Sequence, residues 1–313
     1  MTTKLKRLQK CVVESLPSTY KTCIWLLKIM LPISLGVRIL DYYGFIEYLS
    51  TYLHPLFDLI GLPGRLAIVF VTSIFVPLYG TIAVMASLSM TLRDATILSI
   101  MCLVAHTLFV ECAVTKKTGS SFFGMIALRI GMAFVVAYVL NKILPIDNSL
   151  FLLSKNIESY NGLKDVFISW FYSSLQLTFI LVVIVASLMI LQRILIEFNM
   201  IEKISKPLVP LMRIFGLPDN APFLWIVGNV VGLAYGGAVM VDMIEEEKIT
   251  KEDANLVNYH LSISHSLLED TVLFVALGIN VWVIIISRIS FAIIVVWTKR
   301  FFVYAKTKML ASR

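Results

Sequence analysis

Five polar residues recur at helical spacing in an otherwise apolar stretch: Asn255, Asn258, Ser262, His265 and Glu269, with Ser266 beside them. Steps of three and four residues place them on one face of a helix. Against lipid such a stripe would be severely penalised, so it must face protein or water. His265 and Glu269, one turn apart, have the types to ligate a cation together or to relay a proton. They are only two groups, and no HExxH or comparable metal spacing accompanies them.

The same chain offers a weaker copy of this stripe: Thr96, Ser99, Leu103, His106 and Val110. A histidine in an apolar helix is ordinarily a hydrogen-bonded packing residue. Two at duplicated positions, each with an acid five residues on, bring function level with packing. Those acids are Glu111 and Asp270, and each has an arginine 18 residues later, Arg129 and Arg288. Each pair brackets a helix–helix turn, near Ser120 and near Ile279, so its two members fall at matching depth in an antiparallel hairpin. The simpler reading is two buried salt bridges fixing two hairpins. The functional alternative is a carboxylate that carries a coupling proton or ion.

The elements that must position these groups come in duplicate. Arg38-Ile39-Leu40, Pro55-Leu56 and Gly61-Leu62-Pro63 return 155 residues later as Arg193-Ile194-Leu195, Pro210-Leu211 and Gly216-Leu217-Pro218. By Asp94-Ala95, His106 and Arg129-Ile130 the offset is 159. Each half reads as an apolar helix (21–40, 168–196), an amphipathic helix (46–60, 200–214), a Gly-Leu-Pro turn, an interrupted apolar stretch (66–88, 221–243) and two full helices (95–115 with 121–144, 253–277 with 281–299). Pro77-Leu78-Tyr79-Gly80 interrupts the first stretch, and Gly228, Gly232, Tyr235, Gly236 and Gly237 the second. Opened backbone is tolerated at membrane depth only where it is buried in protein or faces water. Asn229 and Tyr235, and in the first half Ser73 and Tyr79, are therefore solute-contact candidates beside free helix ends. Helix packing by small residues is the competing account of the glycines.

A mean hydropathy of +0.86 with 58% hydrophobic residues excludes a soluble domain, and the long runs suffice to cross about 30 Å of hydrocarbon. The expectation is an all-α integral membrane protein with two homologous repeats, each of about three spanning helices, an amphipathic helix and an interrupted or re-entrant segment. The segments read as a basic terminus 1–20, repeat one 21–145, a linker 146–166, repeat two 167–300 and a basic tail 301–313. Lys4, Lys6, Arg7 and Lys10 at one end and Lys299, Arg300, Lys306, Lys308 and Arg313 at the other put both termini in the cytoplasm, in a multi-pass protein of the cytoplasmic (inner) membrane. If the interrupted stretches re-enter, Lys116 and Lys117 also fall inside, which favours inverted repeats. No short apolar leader with a cleavage site follows the basic start.

The net charge of +7 flanks apolar spans and comes without a recognition motif, so no nucleic-acid partner is expected. The four cysteines make no CxxC, there is no phosphate loop, and no nucleophile–base set appears, so neither an enzyme nor a cofactor is expected.

The duplicated Gly-Leu-Pro turns, Tyr79-Gly80, Tyr235-Gly236 and the His265–Asp270 region resemble the Gate-domain, or nucleoside-recognition-domain, membrane proteins over residues 21–300. That group includes the spore maturation proteins and the membrane part of the B-type ferrous-iron transporters. The resemblance implies a two-repeat gate around a central site and membrane transport. It leaves the substrate open, and the GTPase domain of the iron transporters is absent here. Three readings follow: a permease for a small polar, nucleoside-like solute coupled to an ion; a divalent-cation carrier using His265, Glu269 and His106; or a non-transporting protein acting with a membrane partner. Besides the lipid bilayer, a homo-oligomer partner stays open.

Overall fold

The computed structural model describes residues 2–152 and 162–311, so 153–161 of the expected linker, residue 1 and the last two residues lie outside the described residues. The chain is 82% helical. The first half contains α1 (Thr2–Tyr42), α2 (Phe45–Leu59), α3 (Ala67–Phe75), α4 (Leu78–Met85), α5 (Leu92–Ala105), α6 (Leu108–Lys117) and α7 (Phe122–Ile143). The second contains α8 (Leu163–Glu197), α9 (Met200–Ser205), α10 (Val209–Ile214), α11 (Pro222–Val230), α12 (Leu233–Glu245), α13 (Lys251–Ser264), α14 (Leu267–Val275) and α15 (Val281–Ala311). Among the described residues five spans are long and apolar enough to cross a membrane, one of them the α5–α6 pair taken together. The number is six if the pair formed by α2 and the segment Gly64–Phe75, bent by 103°, counts as one.

Both interrupted stretches open where the sequence predicts. Val76 is extended and Pro77 caps the start of α4. Gly232, at φ 100° and ψ 167°, separates α11 from α12 in a conformation that only glycine adopts readily. Two further breaks were not expected. The helices read as continuous over 95–115 and 253–277 are each broken, after Ala105 and after Ser264. No proline or glycine marks either place. In each, a histidine is extended and the next residue is left-handed, Thr107 at φ 42° and Ser266 at φ 52°. That conformation costs roughly 1–2 kcal/mol for a residue with a Cβ. A tertiary hydrogen bond offsets it: the Thr107 N–H donates to the Ser73 carbonyl at 2.8 Å, and the Ser266 N–H to the Gly228 carbonyl at 2.9 Å. Each acceptor is the third residue from the end of its helix, α3 or α11.

The chain forms two compact units that both draw on the two halves. One comprises 1–108, 133–194 and 271–281; the other comprises 109–132, 195–270 and 282–313. In the first unit Phe57, Phe70 and Phe134 pack edge to face, and Arg38 is buried against the hydroxyls of Ser169 and Ser173. In the second, Met212, Phe215, Leu224, Leu233, Val257 and Leu261 belong to one buried core.

Candidate functional site

The second unit gathers most of the ionisable groups singled out above. The break after α13 leaves the carbonyls of its last turn without helical partners. Arg288, fully buried on α15, supplies them: its Nε donates to the Ile263 carbonyl at 3.0 Å and a terminal nitrogen donates to the His265 carbonyl. The other terminal nitrogen reaches Asp270 Oδ2 at 3.0 Å. One guanidinium thus caps the C-terminal end of α13 and pairs with the acid on α14, so its charge is matched by a helix-end dipole and a carboxylate.

The second pair is also formed. Arg129 on α7 lies 2.6 Å from Glu111 Oε2 on α6. The same oxygen lies 3.2 Å from His265 Nε2. His265 Nδ1 sits 2.8 Å from the Leu261 carbonyl, which can only accept, so Nδ1 carries a hydrogen. In the neutral ring Nε2 would then point a lone pair at a carboxylate oxygen. The contact is favourable only with a proton between them. Glu111, His265 and Arg129 therefore form a buried set that holds two positive charges and one negative when the proton is bound, and one of each when it is not.

Packing of α11 on α13 supports this geometry. A Cβ at Gly228 would stand 2.6 Å from Leu261 Cδ1, so the Leu261 side chain fills the space a larger residue there would need. The Gly228 carbonyl in turn accepts from the Ser266 N–H just beyond His265.

The remaining stripe residues are occupied in packing. Asn258 Nδ2 donates to Thr118 Oγ1 at 2.8 Å and Ser120 Oγ at 2.9 Å, and Ser120 in turn donates to Asn255 Oδ1 at 2.7 Å. These bonds tie the α6–α7 turn to α13. Ser262 and Ser73 each bond back to a carbonyl of their own helix. Asn229 is buried at the end of α11; its amide donates to the Trp225 carbonyl and its Oδ1 has no hydrogen-bond partner among the described residues. Tyr79 is buried, whereas Tyr235 is 52% exposed. Glu269 stands beyond the break, half-buried, and Glu111 meets His265. His106, in the first unit, ends α5 with Nδ1 3.2 Å from the Leu103 carbonyl.

Sequence reasoning passed over His260. Its ring is fully buried and stacked on Phe215 at 5.0 Å, and Nδ1 accepts from Trp225 Nε1 at 3.3 Å. It lies off the polar stripe, and its partner stands 35 residues earlier. Only Ser264 one turn on, 2.8 Å from the same nitrogen, left a local trace.

A helical, multi-pass membrane protein with broken spans and buried charge sets is the class these features define. Residues 23–122 match the sequence model of the Gate family, described as nucleoside recognition. The chain is also similar to the uncharacterized membrane protein YvoD of Bacillus subtilis (strain 168), with 29% identity over 294 residues, 92% of this chain and 93% of that one. No solved structure matches.

Proposed function

We propose that the chain is a proton-coupled transporter of a small polar solute, with Glu111 and His265 as the proton-binding pair and Arg129 holding Glu111 in place. The observation that carries this reading is the lone-pair geometry: a buried imidazole and a buried carboxylate oxygen face each other at 3.2 Å and need one proton between them. Ionisable groups at membrane depth mark proton and ion pathways. Broken helices frame solute sites in transporters of this kind, and Asn229, whose buried carbonyl oxygen has no hydrogen-bond partner among the described residues, is the first side chain to test as a solute contact. Nucleosides are the first solutes to try, because the matched family is described by their recognition. The orientation expected from charge, with both termini in the cytoplasm of the inner membrane, belongs to this proposal, as do the repeat boundaries and their inversion.

The test is uptake of labelled uridine and adenosine into proteoliposomes with an acid exterior. Acid-driven uptake is expected, and Glu111→Gln should reduce its stimulation by the gradient at least about tenfold, the effect of roughly 1.4 kcal/mol at the site. Uptake that ignores both the gradient and the pair Glu111→Gln and His265→Ala would sink the reading. A divalent cation could take the proton's place between the same two atoms, and the donor set of imidazole and carboxylate suits one. Thermal stabilisation of the purified protein by Fe²⁺, Mn²⁺ or Zn²⁺ that His265→Ala abolishes would favour that reading. A stable co-purifying partner without uptake would favour the third.

A further inference from the structure

The groove formed at one end of α13 and α15, lined by Glu252, Leu256, Trp297, Lys299, Phe301 and Tyr304, with a volume of about 740 Å³, belongs to neither the charge sets nor the helix breaks. We infer that it holds one anionic phospholipid from the surrounding membrane, its phosphate at Lys299 and Arg300 and an acyl chain along the aromatic and aliphatic wall.

Depth supports this. Lys299 lies about 27 Å along α15 from Val281 at 1.5 Å per residue. That is close to the roughly 30 Å hydrocarbon thickness of a bilayer, which places the groove at the level of the headgroups. The lining has the composition of that level. Trp297, Phe301 and Tyr304 are large exposed aromatics, and indole and phenol side chains gather where apolar chains meet headgroups.

Charge complementarity then selects the lipid. Lys299 is steadied by its ammonium 4.9 Å above the Tyr259 ring. Arg300 uses Nε to donate to the Gly216 carbonyl at 2.6 Å, and its terminal nitrogens make no hydrogen bond among the described residues. Trp297 Nε1 donates to the Ile214 carbonyl at 3.0 Å. These bonds anchor the groove's basic edge to the turn after α10, so both cations are held in place before a phosphate arrives. Glu252 is the one carboxylate in the lining. With two cations against one anion, the groove attracts a net negative headgroup and discriminates against a zwitterionic one. The volume lies within the range of pockets that bury much of a drug-sized ligand, which a single acyl chain matches.

Native mass spectrometry of the full-length protein in mild detergent tests the inference, with phosphatidylglycerol, phosphatidylethanolamine and phosphatidylcholine of identical acyl chains added in turn. One phosphatidylglycerol per protein should be retained preferentially. Lys299→Gln should lower that retention about fivefold, as loss of one basic group near a membrane surface does. Glu252→Gln should raise it by a similar factor, and Lys203→Gln should leave it unchanged. If Lys299→Gln fails to fold, the headgroup preference of the unaltered protein and the Glu252→Gln effect still decide. Equal retention of the three lipids overturns the inference. So does stronger retention of phosphatidylethanolamine, which would assign Glu252 to an ammonium. Competition by free glycerol phosphate as effective as by the lipid overturns it too, because the acyl wall would then contribute nothing.

Discussion

The pairs Arg288–Asp270 and Arg129–Glu111 share residue classes and an 18-residue separation, yet Asp270 is fully buried where Glu111 is only partly so, and their surroundings differ. Arg288 spends its donors on two carbonyls at a helix break and on Asp270, so every charge there has a fixed partner. Glu111 has a third neighbour, His265, whose facing nitrogen changes between donor and acceptor with one proton. A pair that is complete in one charge state is scaffold. A pair that needs a proton to be complete can move one. The difference teaches that burial and charge alone do not mark a functional acid, and that the identity of the third group does.

The largest expected effect attacks the scaffold pair. Arg288→Met leaves Asp270 uncompensated and the α13 carbonyls uncapped. Breaking one side of a buried pair costs about 3–5 kcal/mol, so little folded protein should survive size-exclusion chromatography in detergent. Adding Asp270→Leu should recover part of that loss, since removing both charges is far cheaper than removing one. A single variant as stable as the unaltered chain would break the comparison. Next in size is Gly232→Ala, which forces a Cβ into φ 100°. A strained position of that kind costs roughly 1–3 kcal/mol, read as a lower unfolding midpoint. Asn258→Ala should cost about 1–3 kcal/mol, because the hydroxyls of Thr118 and Ser120 lose a buried partner. Its proton-coupled uptake should persist, since the loss falls on the turn and not on Glu111.

Much of this was legible beforehand, and what was not has a common cause. The helical class and the breaks at Pro77 and Gly232 follow from local chemistry: a missing N–H in one, a missing Cβ in the other. The two acid–arginine pairs follow from spacing about a turn. The breaks at His106 and His265 leave no such trace, because their extended and left-handed residues are ordinary side chains held by carbonyls 34 and 38 residues away in sequence, at Ser73 and Gly228. That break displaces Glu269 from the helix register in which it would stand one turn above His265. Beside the imidazole stands Glu111, 154 residues earlier, which no periodicity connects. Of the stripe, Asn258, Ser262 and His265 are buried, while Asn255 and Glu269 are only partly so. Their partners were not visible, so Asn255 and Asn258 read as solute contacts when their bonds go to the turn at Ser120.

The smallest effect comes from a third arginine–carboxylate pair, which separates pairing from burial. Arg213 grips Asp219 with two hydrogen bonds, of 2.9 and 2.7 Å, in the exposed turn before α11. Those bonds hold the Asp219 carboxyl below its ordinary range. A depressed carboxyl contributes stability above its unfolded value, near 3.9, and loses it as pH falls through the folded one. Water and salt screen an exposed pair, so the contribution is small even with bidentate geometry. Asp219→Asn should therefore leave the unfolding midpoint at pH 7 almost unchanged. Whatever difference exists should vanish as pH falls through the folded-state value and shrink with added salt. Arg288→Met should show no such salt dependence, because no ion reaches a guanidinium with no exposed surface. If the turn variant destabilised as strongly as the buried one, the distinction between scaffold pairs and surface pairs would fail, and pairing geometry by itself would have to carry the fold.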